Sequence, residues 1–165
     1  MTRRVWIAEL SGFLLTAAQV PRTGLIPLDA AGFRSMVSAH RGKILVVDFW
    51  ATWCATCREE LPRLIALYLK YKEKGFDLIT ISCDEPEQEM GAAEWIARKA
   101  APRPYYIRRV NSDDAFINAI DPKWSGALPA LFLFDRSGHQ VRSLIGETDM
   151  KQLESAVQKL LERGG

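Results

Sequence analysis

Histidine is scarce in this 165-residue chain, with two residues, and cysteine hardly commoner, with three. A structural zinc centre needs four ligands. Cys54 and Cys57 make one Cys-x-x-Cys pair, no second pair exists, and the other candidate donors, Cys83, His40 and His139, are scattered. No metal site is expected from such spacings, and no cofactor. Covalent haem attachment requires a histidine after the second cysteine, and position 58 is arginine. An odd cysteine count leaves at least one thiol outside any intrachain pair, which excludes a disulfide-stapled scaffold. Charge of one sign is lacking as well. Twenty-two Lys and Arg face 20 Asp and Glu, for a net +2. The two signs are interspersed and form no basic stripe, so nucleic acid is not expected as a partner. The chain has no internal repeat or low-complexity tract.

What is present suffices for one core. At 48% hydrophobic the chain is expected to form a single domain, residues 29–165, behind an N-terminal segment, residues 1–28. That segment has two readings. Its basic start, Met1-Thr2-Arg3-Arg4, its apolar Leu10–Ala18 stretch and the small residues Thr16-Ala17-Ala18 outline a secretory signal over residues 1–18. Glu9 and the shortness of the apolar stretch suit instead an N-terminal strand or helix packed on the domain. The first reading places the protein in a bacterial periplasm or another extracytoplasmic space, the second in the cytoplasm. Apart from this segment no apolar run approaches the length that spans a bilayer.

Asp29 reads as the N-cap of a short helix closed by Gly42. Ile44–Phe49, apolar except for Asp48, reads as a buried strand, and Phe76–Ser82 as another. Between them Cys57–Lys74 reads as a long helix, bent where Pro62 lacks an N–H and closed by Gly75. Glu87–Ala100 is a helix turning Met90, Ala93, Ile96 and Trp95 inward. Tyr105–Val110 is a strand and Asp113–Ile120 a short helix. Ala130–Phe134 and Gln140–Ile145 form a hairpin, and Met150–Arg163 is the closing helix. A β-α-β start followed by β-β-α places helices on both faces of a mixed sheet.

The two cysteines fall where the first buried strand hands over to a helix. Unpaired N–H groups and the positive end of the helix dipole favour an anion there. The anion on offer is the Cys54 thiolate, the nucleophile of thiol–disulfide exchange. Three residues span about one helical turn, so Cys57 can attack a mixed disulfide formed on Cys54. Asp48, flanked by Val47 and Phe49, is a carboxyl on a buried strand, which raises its pKa and suits proton exchange with Cys57. Glu60 serves equally as a second proton carrier or as a solvated residue paired with Arg58 or Arg63. Trp53 offers a flat apolar surface beside the nucleophile. Trp50 reads as core, Cys83 as a small buried hydrophobe, and the two histidines as solvated turn residues.

Val47-Asp48-Phe49-Trp50-Ala51, Trp53-Cys54, Cys57-Arg58-Glu59-Glu60-Leu61-Pro62, Leu128-Pro129 and Ile145-Gly146 together resemble the thioredoxin superfamily, in its TlpA/ResA-like branch of bacterial thiol–disulfide oxidoreductases. The resemblance covers about residues 29–163. It implies an α/β fold, a thioredoxin-like three-layer α/β/α sandwich with a mixed central sheet. It implies Cys54 as the attacking and Cys57 as the resolving cysteine, with Asp48 and Glu60 as proton carriers. It also implies a substrate groove of Trp53, Ala55, Thr56, Leu128, Pro129 and Gly146, with Pro129 following a cis bond and the Trp124–Ala127 loop at the edge. The segment from Glu85 to Pro104 resembles the insertion of that branch.

The implied partners are protein disulfides or dithiols and a further redox protein, a membrane-associated one being an option, with the chain itself a monomer. Ala55-Thr56 replaces the Gly-Pro of ordinary thioredoxins. Asp48 and Glu60 combine features of two subfamilies. The poise within the fold's span of about −270 to −120 mV is left open. Two other functions compete. A thiol peroxidase of the same fold needs threonine three residues before its reactive cysteine, where this chain has Ala51. A redox-inactive binding module would have no use for an intact cysteine pair beside Asp48 and Pro129.

Overall fold

The structure is a computed structural model that describes residues 23–163. Six strands form one mixed sheet in the order β1-β4-β3-β2-β5-β6. They are β1 Leu25–Leu28, β2 Ile44–Trp50, β3 Phe76–Ser82, β4 Tyr105–Arg108, β5 Ala130–Phe134 and β6 Gln140–Ile145. Strands β1 to β4 run parallel, and β5 and β6 are antiparallel to their neighbours. The helices are α1 Ala30–Ala39, α2 Ala55–Tyr71, α3 Glu89–Arg98, α4 Asp113–Ile120 and α5 Met150–Glu162.

Alternation along the strands divides the core into two layers. On one face Val46, Trp50, Leu78, Leu131 and Leu133 pack against α2, α3 and α5 through Leu61, Leu64, Ile96, Leu153 and Val157. On the other Val47, Phe49, Ile79, Ile81 and Phe132 meet α1 and α4 through Phe33, Met36 and Phe116. The result is the three-layer α/β/α sandwich. Phe49 centres the second layer, its ring 4.9 Å from Trp124, 5.6 Å from Phe132 and 6.0 Å from Phe33. Removing so large a buried ring leaves a cavity. Phe49→Ala should therefore cost about 3–5 kcal/mol of unfolding free energy in a urea titration.

Four expectations change. The sheet starts at Leu25, ahead of the boundary expected at residue 29, because β1 pairs with β4 from Leu25 to Leu28. Its four residues include Pro27, tolerated because β1 is an edge strand. Helix α2 begins at Ala55, so Ala55 and Thr56 lie in its first turn, and it continues through Pro62 to Tyr71. A 3₁₀ turn, Lys72–Lys74, follows, and Gly75 closes it at φ +89°, a left-handed backbone that favours glycine. Met90 is 57% exposed: the buried stripe of α3 is Ala92, Ala93 and Ile96, and Met90 lies off it. His40 is tied down, with Nδ1 2.7 Å from the Met36 carbonyl and Nε2 3.7 Å from Asp77. The candidate signal, residues 1–18, lies outside the described residues, and none of the described helices is long and apolar enough to cross a membrane.

Candidate active site

Strand β2 lies mid-sheet and delivers its C-terminal end to a turn in which the Cys54 N–H donates to the Ala51 carbonyl at 3.1 Å. Cys54 is the N-cap of α2, and its Sγ accepts from the Cys57 N–H at 3.2 Å. The sulfur thus occupies the place of a capping oxygen, facing the unpaired N–H groups of the first turn. Cys54 and Cys57 are joined in a disulfide with their Cα atoms 5.3 Å apart. Cys54 is 8% exposed and Cys57 2%, so Cys54 is the sulfur a partner reaches more readily.

Asp48 shares its strand face with Val46 and Trp50, the face covered by α2. It sits between Thr80 of β3 and Leu131 of β5 in the sheet register. It is 2% exposed, and its Oδ2 finds no hydrogen-bond partner among the described residues. Burial first, and repulsion from Glu60 second, hold its carboxyl well above the usual range. Glu60, one turn beyond Cys57, is 4% exposed and accepts from the Thr148 N–H at 3.1 Å, while its Oε1 is unpartnered. The structure thus rules out the solvated Glu60: no ion pair joins it to Arg58 or Arg63 among the described residues. Two buried carboxyls therefore lie within electrostatic reach of each other on the helical side of the redox pair.

The antiparallel register pairs Phe49 with Ala130, which sets Pro129 beside the end of β2. The Leu128–Pro129 bond is cis. Ala130 also pairs with Ile145, and the Gly146 N–H donates to the Pro129 carbonyl at 2.9 Å, so Gly146 belongs to the same edge. Trp53, 62% exposed, and Leu128 line a cleft of about 160 Å³ with Cys83, Phe116 and Trp124. Trp124 itself is buried and props the loop, its Nε1–H donating to the Ala127 carbonyl at 2.9 Å. Burial pushes the Cys83 thiol up to about 12, that of an inert thiol. Two residues escape sequence reasoning. Thr148, which fixes Glu60, is a loop residue 88 positions away. Asp84, fully buried just past β3, looks like a loop carboxylate in sequence; its one signal is its place directly after an apolar strand.

A thioredoxin-like sheet carrying a Cys-x-x-Cys disulfide at the start of its central helix defines a thiol–disulfide oxidoreductase. The chain belongs to the AhpC/TSA family, whose model matches residues 18–142. It is 35% identical over 132 residues to a thiol-disulfide oxidoreductase ResA of Bacillus cereus, covering 80% of this chain and 72% of that protein. It is 29% identical to the thiol:disulfide interchange protein HelX of Rhodobacter capsulatus, over 89% of this chain and 77% of the relative. Among solved structures, a thiol:disulfide interchange protein from Chlorobium tepidum superposes with a TM-score of 0.62 at 23% identity, covering 74% of this chain and 83% of that one. The protein exchanges dithiols and disulfides with protein substrates through Cys54-Ala55-Thr56-Cys57.

Proposed function

We propose that Cys54 attacks, Cys57 resolves, and Asp48, aided by Glu60, carries the proton of Cys57. The observation that carries this reading is the Cys54 sulfur in the N-cap position of α2. In the reducing direction the Cys54 thiolate attacks one sulfur of a substrate disulfide and expels the other as a thiolate. Cys57 then gives its proton to the Asp48 carboxylate and attacks the Cys54 sulfur. The Cys54–Cys57 disulfide closes, the substrate leaves with both sulfurs reduced, and two electrons have passed. Run backwards, the same steps oxidise a substrate dithiol.

An extended substrate segment lies along Trp53, Ala55, Thr56, Leu128, Pro129 and Gly146, meeting the flat face of Trp53. Ala51, without a hydroxyl, supports disulfide rather than peroxide as the oxidant. The pair, both carboxyls and the Pro129 loop come from one chain, which supports action as a monomer. The basic and apolar N-terminal segment supports an extracytoplasmic location, where the redox protein that resets the pair is secreted or membrane-held.

Insulin reduction by dithiothreitol tests the reading. The wild-type protein should accelerate precipitation of the insulin chains, and Cys54→Ser should return it to the uncatalysed rate. A wild-type protein no faster than dithiothreitol alone would contradict it. Trp53→Ala tests the groove. It should raise KM for a protein substrate with kcat little changed, by about 2- to 13-fold if the ring contributes the roughly 0.5–1.5 kcal/mol of an aromatic contact.

A further inference from the structure

We infer that Asp84 is a positioning residue whose buried carboxylate clamps Thr52 and so holds the turn that presents Cys54 and Trp53. The inference rests on the exchange reading above. The Thr52 N–H lies 3.0 Å from both Asp84 Oδ1 and Oδ2, and the Thr52 hydroxyl donates to Oδ1 at 2.5 Å. The Ser82 hydroxyl donates to Oδ2 at 2.8 Å, and the Asp84 N–H returns to the Ser82 oxygen at 3.1 Å. Asp84 is fully buried and, among the described residues, no Lys, Arg or His pairs with its carboxylate. A buried charge is costly unless hydrogen-bonded, and here the donors converge from two elements.

What those donors hold is the turn. Thr52 and Trp53 are the middle residues between Ala51 and Cys54, whose backbones are bonded across the turn. Trp53 is largely exposed, so packing gives it little hold. Past β3 the Cys83 N–H donates to the Trp50 carbonyl at 2.7 Å, which keeps Asp84 alongside the turn. The clamp is braced from behind. Arg109 donates through Nη1 to the Asp84 carbonyl at 3.0 Å and through Nη2 to Glu89 of α3 at 2.7 Å. Asp84 touches neither cysteine's sulfur by any hydrogen bond. It acts through Thr52, by the hydroxyl and the backbone N–H together, on where Cys54 and Trp53 stand.

The test compares Asp84→Ala, Asp84→Asn and Thr52→Val in the full-length protein. Misplacing a reacting group by about 1 Å costs about 10²-fold in rate. Asp84→Ala should lower kcat/KM for insulin reduction by about that factor. It should also slow alkylation of Cys54 in the reduced protein and move its pH profile upward, because the sulfur leaves the helix N-terminus. Asp84→Asn, which can accept from Thr52 and donate to Ser82, should restore most of the rate. A folded Asp84→Ala protein with the wild-type alkylation profile and insulin rate would overturn the clamp. If Asp84→Ala does not fold, Thr52→Val decides. Slower Cys54 alkylation supports the clamp, and an unmoved profile overturns it. A wild-type protein inactive on insulin would instead overturn the exchange reading.

Discussion

Cys57→Ser should become stranded on its substrate. Cys54, the more exposed cysteine and the one at the start of α2, can still attack, but no resolving thiol remains in the protein to release the mixed disulfide. Turnover on insulin should fall to the uncatalysed rate, while intact-mass measurement finds insulin chains bound through Cys54 and released by dithiothreitol. Cys54→Ser should give equally little turnover and no adduct, because Cys57 is nearly inaccessible. An adduct on Cys57 in the second variant, with none on Cys54 in the first, would reverse the two roles.

Asp48→Asn should have the next largest effect, and its direction differs between rate and stability. Loss of a positioned acid–base group typically costs about 10²–10⁴-fold, here in the step where Cys57 resolves the mixed disulfide. Adding Glu60→Gln should slow that step further. Stability moves the other way. Asp48 keeps its proton in the folded protein to a higher pH than the unfolded chain, whose carboxyl titrates near about 3.9. Above that pH the folded state binds more protons than the unfolded one, so stability falls as pH rises until Asp48 ionises in the fold. The loss is at most about 1.4 kcal/mol per pH unit. Asp48→Asn removes it. The variant should be more stable than wild type near neutrality, and the gain should shrink as pH falls towards about 4. Urea titrations of both oxidised proteins across that range check the sign. A wild type whose stability relative to the variant does not change with pH would show that Asp48 ionises normally.

The parts of this molecule legible in sequence are those written in local pattern. Largely apolar runs mark β2, β3 and β5, and the Asp29 cap marks α1, where Asp29 Oδ1 accepts from the Gly32 N–H at 2.7 Å. The Cys-x-x-Cys pair at a strand–helix junction is equally local. Asp48 is legible because a carboxyl between Val47 and Phe49 has no polar face to turn to. Long-range pairings stay hidden. Strand β1 is four residues around Pro27 and becomes a strand only because β4 lies beside it. Glu60 has the sequence surroundings of a solvated helix residue, and only the packing of α2 against the Thr148 loop buries it. Asp84 is the extreme case: its meaning lies in Thr52, 32 residues earlier, and its place just past an apolar strand is all that announces it.

Site-resolved alkylation of the reduced protein at neutral pH tests the account most directly. Cys54 should be labelled first, since its sulfur sits at the α2 N-terminus, where a thiolate is favoured, with Cys57 and Cys83 lagging. Faster labelling of Cys57 than of Cys54 would contradict the assignment of nucleophile and resolving thiol, and with it the roles of Asp48 and Glu60.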